Sequence, residues 1–89
     1  MKVSFDKSFL KSIQKLTHKP ALLLRVKAII LDCESADSIQ DINKVKKLKG
    51  FKTYYRIRVN DYRIGFEFLD NEITFITIAH RKEIYNIFP

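Results

Sequence analysis

The 89-residue chain has one cysteine, one methionine, no tryptophan, two glycines, two prolines and two histidines. A lone thiol, Cys33, cannot close a disulfide within the chain, and so few Cys and His residues give no framework for zinc. Neither a metal nor any other cofactor is expected. Long apolar runs are also missing. The longest, residues 21–24 and 28–31, fall well short of the ~20 residues of a membrane helix, and no signal-peptide run opens the chain. A cytoplasmic protein with no membrane partner is the expectation. Scarce glycine and proline exclude collagenous and low-complexity chains, and no repeat or linker divides the sequence. A single domain over residues 1–89 follows. A chain this short hides only about 60–65% of its unfolded surface, so most of its Phe and Tyr rings must go inside.

Acids are scarce in one place in particular. Residues 44–63 hold eight of the 17 bases (Lys44, Lys46, Lys47, Lys49, Lys52, Arg56, Arg58 and Arg63) but only one of the ten acids, Asp61. Bases and acids balance elsewhere, so the whole net charge of +7 sits in twenty residues. A basic segment inside a neutral domain reads as a footprint for a polyanion; the alternative is a solvated lysine-rich loop.

Residues 1–5 alternate Val3 and Phe5 with Lys2 and Ser4, which predicts a short first strand. Asp6 can cap a helix in which Phe9, Leu10, Ile13 and Leu16 share one face. Pro20 ends that run and suits the first turn of a second helix, along which Leu22, Leu23, Val26, Ile29, Ile30 and Cys33 form an apolar stripe. The short connection makes an antiparallel helical hairpin. Cys33 reads as a core residue rather than a nucleophile. Residues 34–49 show no strand alternation; Ile39, Ile42, Val45 and Leu48 recur every third position and predict a helical turn or loop pinned to the core.

The third stretch alternates most clearly. Tyr54, Arg56 and Arg58 interleave with Tyr55, Ile57 and Val59; beyond Asn60-Asp61, both of a type that tolerates positive φ, Tyr62, Ile64, Phe66 and Phe68 interleave with Arg63, Gly65 and Glu67. A two-residue turn sets Val59 opposite Tyr62, Arg58 opposite Arg63, Ile57 opposite Ile64, Arg56 opposite Gly65 and Tyr55 opposite Phe66. One face is then apolar and the other carries three arginines with few acids to neutralise them. Opposing like charges cost roughly 0.2–1 kcal/mol per pair, and Gly65 weakens its strand while leaving space beside Arg56. Two penalties on one face point to a phosphate site; the alternative is an arginine face that only meets solvent. A third apolar run, residues 72–79, follows the Asp70-Asn71 turn and completes a three-stranded antiparallel meander. Either His80 or Arg81, at its end, can face the arginines.

The pieces Lys47-Leu48-Lys49-Gly50, Tyr55-Arg56-Ile57-Arg58-Val59, Asp61-Tyr62-Arg63-Ile64 and His80-Arg81-Lys82-Glu83-Ile84-Tyr85, in this order, resemble the RelE/ParE superfamily of bacterial type II toxins. The resemblance implies an α+β fold: an N-terminal strand, the helical hairpin, then the meander, in one twisted sheet with the helices on one side. It also implies a cognate antitoxin partner and one of two activities. RelE-like members cleave mRNA on the ribosome, whereas ParE-like members inhibit DNA gyrase without cutting RNA.

Carried over from the RelE branch, the resemblance makes Arg56, Arg58, Arg63, Arg81 and Tyr85 catalytic candidates. It implies a metal-independent reaction in which the RNA 2′-hydroxyl attacks its own 3′-phosphate and expels the next 5′-oxygen. The arginines are then placed to stabilise charge on the phosphate. The branch commonly has lysine at the positions of Arg56 and Arg58, one being a candidate base; a guanidinium is a poor proton acceptor. His80, the one nearby side chain of a type that titrates near neutrality, is the candidate acid or base if it faces the cleft, and Tyr85 can donate a proton or stack on a base. Lys44, Lys46, Lys47, Lys49 and Lys52 read as clamps on messenger and ribosomal RNA, or as the dock for acidic antitoxin residues.

Overall fold

A computed structural model describes all residues from Met1 to Pro89. In chain order the elements are β1 (Lys2–Phe5), α1 (Lys7–Gln14), α2 (Pro20–Ser35), a 3-10 turn (Ile39–Asp41), β2 (Val45–Lys47), β3 (Tyr54–Val59), β4 (Tyr62–Leu69), β5 (Glu72–His80) and α3 (Ile84–Ile87). The strands form one mixed sheet in the order β1-β5-β4-β3-β2. Strands β1 and β5 lie side by side in parallel, and every other pairing is antiparallel. No helix is long and apolar enough to cross a membrane.

Local chemistry sets the element boundaries. The Asp6 carboxylate accepts from the Ser8 hydroxyl and from the Ser8 N–H, the latter at 3.1 Å, and so caps α1; the hydroxyl bond first and the N–H bond second hold the carboxyl below its usual range. Asp6 N–H meanwhile donates to Phe75 O at 2.9 Å, so the chain leaves the sheet and enters the helix at one residue. Pro20 stands in the first turn of α2, where its missing N–H costs nothing. Of the Asn60-Asp61 turn only Asn60 takes a positive φ, 54°, whereas Asp70 and Asn71 both do, at 53° and 61°.

One face of the sheet carries the main core. Phe9, Leu22, Val26 and Cys33 from the helices, with Leu16 from the turn between them, pack on Ile57, Val59, Ile64, Phe66, Ile73, Phe75 and Ile78. Burying each large side chain contributes about 1.5–3 kcal/mol, so this layer supplies most of the stability. Cys33 is fully buried, and burial, with the charge of Asp32, pushes its thiol up to about 11; it is a core residue.

Three features depart from the sequence pattern. Residues 45–47, expected as part of a turn or loop, form β2 on the edge of β3, because three residues are too few to show alternation. The β4–β5 ladder shifts register between Gly65 and Phe66, a bulge that re-aims the end of β5. The opposite face also has its own small core, in which Leu48, Ala79, Ile84 and Phe88 pack with Tyr54 and Ile76. The space expected over Gly65 is filled by Phe88: a Cβ at residue 65 would stand 2.5 Å from the Phe88 Cδ2.

Candidate functional site

Beside that small core lies an open cleft of about 350 Å³ lined by Lys44, Val45, Lys46, Arg56, Arg58, Arg63 and Tyr85. Strand period supplies most of it. Arg56 and Arg58 alternate with Ile57 and Val59, which are buried under the helices, so both arginines point to the opposite face. The hairpin register is the one the alternation predicts, with Arg56 opposite Gly65 and Arg58 opposite Arg63. On the other side β2 sets Lys46 opposite Arg56. Lys44, just before β2, has φ 63°, a left-handed backbone that costs a lysine roughly 1–2 kcal/mol. Its carbonyl accepts from the Arg58 N–H at 3.3 Å, tying the strained residue to the cleft.

Five cations therefore share one cleft with no acid in its wall. The chain makes only two ion pairs, Lys2 with Glu72 and Arg81 with Asp61, and neither involves these five. Arg63 is steadied by backbone carbonyls instead: its Nη1 donates to Tyr62 O at 2.9 Å and Asn60 O at 3.1 Å, leaving its remaining donors free. Arg56 reaches Tyr85, its guanidinium carbon 4.6 Å from the centre of the ring. By favouring the phenolate through hydrogen bonding and through its charge, Arg56 holds the Tyr85 phenol below its ordinary range; desolvation opposes this, and Lys46 and Arg63 add to it. The result is an open cationic cleft holding a phenol made more acidic.

The remaining sequence candidates lie elsewhere. His80 sits opposite Tyr62 on the strand pair, its ring 5.5 Å from the Tyr62 ring and its Nδ1 accepting from the Lys82 N–H at 3.2 Å. It borders a hollow shared with Ser12 and Leu16 on the helix side, so the condition that it face the arginines is not met. Arg81 also stays outside the cleft wall. Its N–H donates to Asp61 O at 2.7 Å and its Nε lies 3.9 Å from the Asp61 carboxylate, fastening the end of β5 to the β3–β4 turn. Of the five lysines only Lys44 and Lys46 line the cleft. Lys47 alternates away from Lys46, and Lys49 and Lys52 flank Gly50 in the exposed β2–β3 turn. Phe88 escaped sequence reasoning, and Gly65 was its signal: a glycine inside a strand marks close approach, here by a ring.

Residues 3–85 match the family described as ParE toxin of type II toxin-antitoxin system, parDE. Toxin RelE3 of Methanocaldococcus jannaschii is 44% identical along the whole of both chains. A chain in the crystal structure of the RelB-RelE antitoxin-toxin complex from Methanococcus jannaschii is 38% identical and superposes with a TM-score of 0.81, over 97% of this chain and 99% of that one. The YoeB dimer from Staphylococcus aureus, 17% identical over 90% of this chain and 95% of its own, shares the fold with a TM-score of 0.73.

Proposed function

The chain belongs to the RelE/ParE superfamily of type II toxin-antitoxin toxins, and on that premise we propose that it is an endoribonuclease that cuts ribosome-bound mRNA, holding the scissile phosphate in the cationic cleft. The observation that carries this reading is the convergence of Arg56, Arg58, Arg63, Lys44 and Lys46, without carboxylates, around one acidified phenol.

In this reaction the 2′-hydroxyl oxygen bonds to the adjacent phosphorus, the bond to the next 5′-oxygen breaks, and a 2′,3′-cyclic phosphate remains. The RNA supplies its own nucleophile, so the protein's work is to stabilise charge and move protons. Negative charge grows on the phosphate oxygens, and each preorganised donor aimed there is worth about 3 kcal/mol. Arg56, Arg58 and Arg63 are such donors. The 2′-hydroxyl proton passes to water and the departing 5′-oxygen takes up another; a guanidinium does not give that second proton, which leaves Tyr85 and the two lysines as its donors. A lowered pKa makes a phenol the better acid, so Tyr85 is assigned to protonate the departing 5′-oxygen. His80 and Arg81 are assigned no contact with the RNA at the break.

We also propose that a cognate antitoxin segment carrying acidic residues covers the same cations and blocks the cleft. Solved relatives described as an antitoxin-toxin complex and a toxin-antitoxin complex support an antitoxin partner. Binding by either polyanion weakens as salt rises.

The family description, which names ParE, favours a second reading: a toxin that inhibits DNA gyrase and leaves RNA intact. Primer extension on messages after induced expression separates the two. Cuts within translated codons are expected; intact messages accompanied by DNA breaks or altered supercoiling overturn the nuclease reading.

A further inference from the structure

Tyr85 hangs on very little. Helix α3 is one turn of four residues with no side-chain cap at Glu83, and a turn that short does not hold itself. Tyr85, Asn86 and Ile87 are all exposed, Tyr85 at 73%. Only the flanking residues are buried, Ile84 at 0% and Phe88 at 4%. The Phe88 N–H donates to Ile84 O at 2.9 Å and closes the turn, and its ring meets Tyr54 edge-on with centroids 5.4 Å apart. The seat for that ring is Gly65, cross-strand partner of Arg56, so the anchor of α3 and the guanidinium under Tyr85 are neighbours on one pair of strands.

We propose that Phe88, seated on Gly65, is a positioning residue that holds the Tyr85 phenol against Arg56. Ile84 fixes where the turn begins, and Phe88 fixes how it closes; with both ends pinned, the backbone of Tyr85 is held where its ring meets Arg56. Any side chain at residue 65 would take the seat, which explains a glycine in mid-strand. The catalytic consequence rests on the nuclease reading, while the geometric claim does not.

The test is Phe88→Ala in the full chain, which leaves the helix-side core untouched. Two readouts are compared with wild type. The first is the tyrosinate ultraviolet titration, with the Tyr85→Phe curve subtracted to isolate Tyr85. The second is kcat and KM for cleavage on message-programmed ribosomes. Tyr85 is expected to return to the ordinary phenol range, since it loses the cation that stabilises its anion. The kcat should fall about 10- to 100-fold with KM within about three-fold, because phosphate binding by the arginines is unaltered. Phe88→Leu, which still fills the seat, should restore both, and Gly65→Ala should reproduce the defect by pushing the ring out. A folded Phe88→Ala protein with an unchanged Tyr85 titration overturns the proposal; so does a Phe88→Leu protein as defective as Phe88→Ala. Where Phe88→Ala does not fold, Gly65→Ala takes its place with the same two outcomes. Wild-type protein that cuts no message sinks the nuclease reading alone, and the titration still decides the positioning claim.

Discussion

The two faces of the sheet are built on opposite principles. Under the helices, thirteen buried side chains close around Phe66 and Phe75 with no charge among them. On the other face four buried residues hold a one-turn helix beside five cations that repel one another. The first face gains stability from every residue it adds. The second loses some by setting Arg58 opposite Arg63 and by bending Lys44 into a left-handed backbone. Folding energy comes from one side of the sheet, and the other spends a little of it to gather positive charge.

That division is easiest to break with two substitutions of opposite character. Phe75→Ala removes a ring packed among Phe5, Phe9 and Phe66, with centroids 5.9, 5.4 and 6.1 Å away. It should cost about 3–5 kcal/mol in denaturant unfolding, a large share of what a domain this small possesses. Arg56→Ala should leave unfolding within about 0.5 kcal/mol of wild type while lowering cleavage about 100- to 1000-fold, since it removes a phosphate donor and the partner of Tyr85 together. Were Arg56→Ala to unfold the protein, or Phe75→Ala to fold normally, the faces would not divide the labour as described.

The pH dependence sharpens the comparison within the cleft. As a general acid Tyr85 must carry its proton, so cleavage is expected to fall as pH rises through the phenol's lowered pKa. Arg56→Gln removes the charge that favours the phenolate, which raises that pKa and moves the falling limb to higher pH. Rate profiles of the two proteins on the same programmed ribosomes check this; limbs that coincide would take the acid role from Tyr85.

How much of each face was legible in the sequence follows from the same contrast. Alternation over six and eight residues fixed the hairpin register to the residue, arginines included, because a slip by one would bury Arg56 and Arg58 and expose Ile57 and Val59. The helical stripe through Leu22, Val26 and Cys33 was legible for a similar reason. What escaped is short or irregular. Strand β2 has three residues and α3 has four, below the length at which either period shows. The bulge at Gly65 and Phe66 intervenes before His80 and Arg81, so counting along β5 could not place them. A glycine in mid-strand signals a need for room, and at residue 65 the room belongs to Phe88.

The smallest expected effect tests the cost of the cleft itself. Arg58 is exposed and opposes Arg63 directly, and no acid pairs with either. Replacing it by threonine, a good strand former, removes one like-charge pair and should raise stability by about 0.2–1 kcal/mol. The gain should shrink in added salt, because exposed charges are screened over roughly 10 Å at 0.1 M. The same variant should bind RNA more weakly and with a shallower salt dependence, one phosphate contact having gone. Denaturant unfolding at low and high salt, run beside a binding titration at the same salts, reads both. A variant less stable than wild type at low salt would mean that Arg58 supports the sheet, and the cationic face would then owe its charge to folding instead of to a ligand.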